Sequence, residues 1–133
     1  LFGRTSMPTP LQEKTYEMLI RMASIPSAYP TAEREMVLLR RMFADALEAG
    51  AALEMALGAA DRTEFRRFLF GTLHRIRLVK LWMQILDDLG ALDPDTVHPL
   101  SETAEETHKL VLAAIRTTHK AGTVEDYQTA QAV

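Results

Sequence analysis

The part of the sequence that most constrains the fold is the segment 61–90, which reads DRTEFRRFLFGTLHRIRLVKLWMQILDDLG. It contains no proline and one internal glycine, Gly71, and most of its other residues favour helices. Apolar positions recur at steps of three and four residues, as on the buried face of an amphipathic helix. These seam positions are Phe65, Leu69, Thr72, Ile76, Val79, Met83 and Leu86. The pattern predicts one long helix that packs on its neighbours along this seam.

The same helix has a second apolar surface outside the seam. A helix that is apolar nearly all round needs more than one partner, so a contact between subunits is predicted here. The residues predicted to form this oligomer contact are Phe70, Leu78, Leu81 and Trp82. The alternative for Trp82 is ordinary packing inside the bundle.

A row of basic residues lies beside the seam. At about 100° per residue, the row spans a strip roughly 60° wide along the helix. Its members, which we call the basic strip, are Arg62, Arg66, Arg77 and Lys80. Residues 61–80 hold six Arg or Lys against two acids, a local charge of +4 within a chain of net charge −3. A local basic surface is therefore expected despite the acidic total.

Two interpretations of the basic strip remain open at this stage. Its cations either pair with acids of a neighbouring helix, or bind the phosphates of a nucleic acid without reading bases. Arg34 and Arg41, on the outer face of the preceding predicted helix, are candidates to extend a nucleic-acid-binding surface. No exposed aromatic residue is expected among these cations, so sequence-specific single-strand recognition is not predicted.

Two helices are predicted before this segment. Thr9, Pro10 and Gln12 have the pattern of a capping box with proline in the first turn, and this first helix ends at Ile25, before a proline. Thr31 is the predicted cap of a second helix that ends near residue 57. The seam of the second helix is predicted to contain Met36, Leu39, Phe43, Ala46, Gly50, Leu53 and Leu57.

A fourth helix is predicted over residues 100–120, after a loop over 91–99, because Pro99 does not suit the interior of a helix. Its seam is predicted at Leu100, Ala104, Thr107, Val111, Ala114 and Thr118. Four helices with short connections predict an all-α, up-down-up-down antiparallel four-helix bundle over residues 9–121. Residues 1–8 are interpreted as a tag or disordered N-terminus, and residues 122–133 as a flexible C-terminal tail.

No catalytic, metal or cofactor site is predicted. The chain has no cysteine. Glu105 and His108 have the spacing of a metal-binding pair, but di-metal bundles need a second helical pair and further inward glutamates. We therefore expect a protein that is not an enzyme. Glu54 is expected to be partly buried and to pair with Arg75.

The hydropathy pattern contains no run long enough to span a bilayer, and the first residues do not have the pattern of a signal peptide. We therefore expect a cytoplasmic protein without a membrane partner.

The sequence resembles a known group of helical proteins. The likeness is carried by MLIRMASIPSAYPTAEREMVLLRRMFADALEAGAAL at 18–53, by EFRRFLFGTLHRIRLVKLWMQILDDLGAL at 64–92 and by the final amphipathic helix, and covers roughly residues 11–120. These segments resemble the four-helix-bundle superfamily of ribosomal-RNA intervening-sequence proteins. Within it they are most similar to the accessory variability determinants of diversity-generating retroelements.

The resemblance implies a function. Such proteins are non-enzymatic homo-oligomers, pentameric in the studied member, that bind a reverse transcriptase and nucleic acid during mutagenic copying of a template RNA into cDNA. In this chain the apolar surface of the third helix suits subunit packing, and the basic strip suits RNA or DNA. The competing hypothesis is a four-helix interaction scaffold that binds no nucleic acid.

Overall fold

Four α-helices make up the part of the chain that the computed structural model describes, residues 9–26 and 32–120. They are α1 (Pro10–Ala23), α2 (Glu33–Leu57), α3 (Arg62–Asp88) and α4 (Pro94–Lys120). The predictions about residues 1–8, about Thr31 as a cap and about residues 122–133 lie outside the described residues. Within those residues, no helix combines the length and the apolarity needed to cross a membrane.

The four helices form a square in which each contacts two neighbours. Both α1 and α3 pack against α2 and α4, and the contact between α2 and α3 is the most extensive. Adjacent helices run in opposite directions: Lys14 and Glu17 on α1 contact Glu106 and Thr103 on α4, in reversed order. Contacts between the other neighbours show the same reversal. The predicted up-down-up-down bundle is confirmed.

Local capping fixes the ends of α1 and α3. The Thr9 backbone N–H donates to Gln12 Oε1 at 2.7 Å, and Thr9 Oγ1 accepts from the Gln12 backbone N–H at 3.2 Å. The predicted capping box is therefore present. Asp61 caps α3 by accepting from the Glu64 backbone N–H at 2.8 Å. Gly90 follows the end of α3 with φ of 64°, a left-handed conformation that glycine adopts without strain.

Two apolar clusters fill the bundle, one towards each end. The predicted seams of α3 and α4 are buried in full. The fully buried large side chains are Leu11, Met18, Met42, Leu53, Phe65, Leu69, Ile76, Val79, Leu86, Leu100 and Val111. Thr15, Thr72 and Thr107 are also buried, and each hydroxyl donates to the backbone carbonyl four residues earlier. These buried hydroxyls therefore have the partners that they need.

The predicted seam of α2 is wrong in phase. Ala46 and Leu53 are buried as expected, but the other inward positions are Met42, Asp45, Ala49 and Ala56. The other large apolar side chains of the predicted seam are only partly buried, namely Met36, Leu39, Phe43 and Leu57. The inward face carries mainly small residues because α2 lies against both α1 and α3. At Gly71, for example, an added Cβ would lie only 3.8 Å from Ala52 Cβ.

The predicted start of the fourth helix is also wrong, since Pro99 lies inside α4. Pro94 occupies the first position of the helix, and Asp93 Oδ1 accepts from the Asp95 backbone N–H at 3.0 Å. Pro99 is close to this end, so its ring removes a single hydrogen bond. The earlier start places Val97 on the buried face together with Leu100, and the two are 7% and 1% exposed. Their burial outweighs the local cost of the proline.

Candidate nucleic-acid interface

The basic strip lies along the groove between α3 and α4. Two of its four members contact side chains of α4: Arg66 contacts Thr118, and Lys80 contacts Glu105. The strip runs for most of the length of α3 and stands on a rigid backbone.

Lys80 is held by two side chains of α4. Its Nζ lies 2.8 Å from Glu105 Oε2 and 2.8 Å from His108 Nδ1. The hydrogen bond from Lys80 lowers the pKa of Glu105, against the opposing effect of burial. The Glu105 side chain is 48% exposed, so this is a surface ion pair and contributes at most about 1 kcal/mol to folding.

His108 extends the charge network under the strip. Its Nδ1 receives the Lys80 ammonium, so the neutral ring carries its proton on Nε2. Nε2 is buried and has no hydrogen-bond partner among the described residues. Burial lowers the pKa of His108, as do the positive charges of Lys80 and Arg77, whereas Glu105 raises it. The ring is therefore an uncharged acceptor at neutral pH.

Arg66 is held at two points beside an aromatic ring. Its Nη1 donates to Thr118 Oγ1 at 2.6 Å, and its Cζ lies 5.7 Å from the centroid of the Phe70 ring. This distance is within the range of a cation–π contact. Phe70 is 38% exposed, which contradicts the expectation that no exposed aromatic lies among the cations. The signal was present in the sequence, because Phe70 follows Arg66 by one helical turn.

Arg62 and Arg77 are the exposed members of the strip. Within residues 9–26 and 32–120, neither guanidinium has a hydrogen bond or an ion pair. Of the two earlier interpretations, pairing with acids of a neighbouring helix therefore applies to Lys80 but not to these two arginines. No described residue neutralises their charge.

The arginines of α2 do not join the strip. Arg41 Nε lies 3.9 Å from Asp45 Oδ2, on the flank of α3 that faces α2, and Arg34 lies two turns earlier on the same helix. The strip lies on the opposite flank of α3, against α4. The six predicted nucleic-acid-binding residues therefore form two groups, separated by the outer face of α3.

Asp45 is the one buried acid in the described part of the chain, and the sequence pattern did not identify it. Its side chain is 3% exposed and accepts from Arg75 Nη1 at 2.8 Å and from Trp82 Nε1 at 2.7 Å. The expectation that Arg75 pairs with Glu54 is wrong, because Glu54 is exposed and Asp45 takes that place. The error follows from the wrong phase of the α2 seam.

The predicted oligomer contact separates into exposed and partly buried residues. Phe70 and Leu81 are 38% and 49% exposed, whereas Leu78 and Trp82 are partly buried. Trp82 packs against the core and donates to Asp45, which is the packing alternative stated for it. In the part of the chain that the structure describes, the remaining exposed large apolar residues are Ile20, Val37, Leu47, Met55 and Leu89, and three of these five lie on α2.

The pair with metal-ligand spacing has another role in this structure. Glu105 and His108 both contact Lys80 Nζ. In the described part of the chain, no group of three or more His, Asp or Glu side chains is placed to hold a metal ion.

The comparisons with known proteins bear on the fold alone. The sequence matches no protein-family model and no curated protein. The structure is similar to that of a protein of unknown function from the S23 ribosomal protein family of Bacteroides thetaiotaomicron, with a TM-score of 0.71 and 18% sequence identity. The alignment covers 79% of this chain and 97% of that one. This likeness supports a shared four-helix fold.

Proposed function

We propose that this protein is a non-enzymatic, self-associating accessory protein of a diversity-generating retroelement. In this role it binds a reverse transcriptase, together with template RNA and cDNA, and supports mutagenic reverse transcription. The retroelement and the reverse transcriptase come from the sequence resemblance. The helical fold and its likeness to a member of the S23 ribosomal protein family are consistent with that origin.

One observation carries the nucleic-acid part of the proposal: Arg62 and Arg77 are exposed on the strip without an acidic partner among the described residues. Phosphate contacts supply most of the affinity of sequence-independent binding, and they need cations that are not already neutralised. A rigid helix holds the two guanidinium groups at a fixed spacing. The net charge of −3 does not cancel this local field, because screening limits charges on other faces to about 8 Å at physiological salt.

Self-association is supported by exposed apolar side chains on two adjacent helices. Leu81 on α3 and Val37, Leu47 and Met55 on α2 are each about half exposed. We take the outer surface that carries these side chains as the contact, since covering it would remove apolar area from water. The pentamer implied by the resemblance is proposed for this surface, and light scattering in dilute solution measures its mass.

The test of nucleic-acid binding is a salt titration with fluorescence anisotropy, using labelled RNA and DNA. The double variant Arg62→Gln/Arg77→Gln removes the two unpaired cations without introducing repulsion. We expect the slope of log K against log salt to become shallower by about 1.4–1.8, as two phosphate contacts are lost. Reversing Lys80 is less informative, because a glutamate there would face Glu105.

Two further variants sharpen the titration. Arg21→Gln/Arg40→Gln removes the same charge from α1 and α2, away from the strip, and is expected to leave the slope within about 0.3 of the unmodified protein. Arg34→Gln/Arg41→Gln tests whether the arginines of α2 extend the surface. A slope that responds equally to all three double variants would show only a net-charge effect and remove the strip as the binding surface.

The alternative function, an interaction scaffold without nucleic acid, also has an observation in its favour. Lys80 is neutralised within the chain by Glu105, and the chain as a whole is acidic. If neither RNA nor DNA binds at low salt while the protein still self-associates, the scaffold is the correct function. Co-purification with a reverse transcriptase encoded beside the gene distinguishes the retroelement role from a general scaffold.

A further inference from the structure

We infer that Phe70 and Arg66 form a stacking platform for an unpaired base, so that the basic strip prefers single-stranded over duplex nucleic acid. This inference depends on the proposed function, since it names the class of ligand that the same surface binds. It changes the sequence-based expectation that no exposed aromatic residue lies among the cations.

The ring of Phe70 is exposed and lies between two cations of the strip. Its ring is 38% exposed, whereas Phe65 is 1% exposed and Phe68 packs against the core. By helix geometry, Phe70 is turned about 40° from Arg66 and lies about 6 Å further along the axis, and Arg77 lies about 10 Å beyond it. The exposed ring therefore lies between two cations along one side of α3.

Arg66 contacts both the Phe70 ring and a side chain of α4. The guanidinium lies 5.7 Å from the ring centroid and is held from the other side by Thr118 at 2.6 Å. These two contacts fix the charge beside the ring before any ligand arrives. A strand that crosses the groove can then present a phosphate to Arg66 while its base covers the exposed part of the ring.

The chemistry of the ligand follows from this pairing of ring and cation. In a duplex the bases are stacked on each other and present only their edges, so the ring of Phe70 would meet sugar and phosphate. In a single strand the bases can turn outward, and stacking on an aromatic side chain is tolerant of sequence because every base has a flat face. An exposed phenylalanine beside arginines therefore favours the single strand.

The experiment compares three ligands of equal length: a mixed-sequence single strand, its duplex, and an abasic single strand that keeps the phosphates and lacks the bases. We expect the protein to bind the complete single strand roughly 5- to 150-fold more tightly than the abasic strand, the range for stacking of one base. Phe70→Leu keeps an apolar side chain and removes the aromatic face. It should abolish this difference, while affinity for the abasic strand changes little because Thr118 still holds Arg66.

Phe68→Leu is the matched control. Phe68 also has an arginine over its ring, Arg67 at 5.1 Å, but its ring packs against the core. This variant should retain the preference for the complete single strand. The mass in solution of Phe70→Leu and Phe68→Leu is measured as well. If the apolar side chain of Phe70 contributes to self-association, leucine preserves the assembly and a third variant, Phe70→Ser, loses it.

The possible outcomes separate the inference from the function on which it depends. Equal affinity for the complete and abasic strands, or a preference that survives in Phe70→Leu, would overturn the stacking platform and leave phosphate binding by the strip intact. Absence of binding to all three ligands at low salt would remove the proposed nucleic-acid function itself. Loss of the preference in Phe70→Leu, with unchanged mass and with retention in Phe68→Leu, supports the inference.

Discussion

The cations on the two flanks of α3 meet different acids, one buried and one exposed. On the flank facing α2, Arg75 and the Trp82 ring N–H converge on one carboxylate, Asp45, that is 3% exposed. On the flank facing α4, the acid that meets Lys80 is Glu105, and it is 48% exposed. One helix therefore has a closed polar cluster on one side and an open basic row on the other.

The difference shows how similar residues acquire different roles. A buried carboxylate that loses its partners is costly, so the cluster around Asp45 holds α2 and α3 in register. An exposed pair is worth little, and a phosphate can replace the acid at small cost. We therefore expect the α2 flank to matter mainly for stability and the α4 flank for the proposed binding. The following variants test that expectation.

The largest effect is expected from Asp45→Ala. This change removes a charged acceptor of two hydrogen bonds and leaves the Trp82 ring N–H without its partner. We expect the free energy of unfolding to fall by about 2–3 kcal/mol, because Arg75 is 43% exposed and can be rehydrated. Urea denaturation, followed by circular dichroism, measures the change.

Glu54→Ala is the control for that prediction. Glu54 lies on the same helix but is exposed, and it was the partner expected for Arg75 from the sequence alone. Its removal should change the free energy of unfolding by less than about 0.5 kcal/mol. If the two variants lost similar stability, the contrast between the flanks would be incorrect.

A smaller effect on stability, with an effect on binding, is expected from Glu105→Gln. The amide keeps the shape of the side chain and removes the charge that neutralises Lys80. Stability should fall by less than about 1 kcal/mol. Release of one cation should make the salt slope steeper by about 0.7–0.9 and binding about 5- to 8-fold tighter at 0.1 M salt.

Glu102→Gln provides the same charge change one turn earlier on α4. Glu102 is paired with His98, at 3.1 Å, and does not contact the strip. A general loss of negative charge would affect both variants alike. A steeper slope in Glu105→Gln alone shows that Lys80 is a member of the binding surface that its own chain holds in check.

Much of the fold could be predicted from sequence where one pattern dominates. The α3 seam is regular over seven positions, and the capping box at Thr9 is a local signal, so both were found. The phase of α2 was missed because its apolar residues surround the helix, and close packing selected Ala49 and Ala56 over the larger Leu39 and Phe43. The helical position of Pro99 was missed because the local rule against proline inside a helix is outweighed by burial of Val97 in the added turns.

The candidate site was predictable in its location but not in its partners. Helical spacing placed the four cations of the strip on one face of α3. Which of them remain available depends on how α4 is rotated, since that rotation brings Glu105 and His108 to Lys80 and Thr118 to Arg66. No periodicity within α3 contains this information. The exposure of Phe70 likewise depends on the packing of whole helices.

The smallest effect is expected from the titration of His108, and it concerns the open flank alone. Because burial, Lys80 and Arg77 lower the pKa of His108 below its usual 6.5, the unfolded chain binds this proton more readily than the native state. The contribution of His108 to stability is therefore complete above about pH 6.5 and is lost as the pH falls towards the lower native pKa.

In Lys80→Met one of the repelling charges is absent, so the pKa of His108, measured by NMR titration of its ring, should rise. The decline of stability below pH 6.5 should then become smaller than in the unmodified protein. An unchanged pKa would mean that Lys80 does not contact the imidazole in solution. The basic strip would then be less constrained by α4 than the contacts of Lys80 indicate.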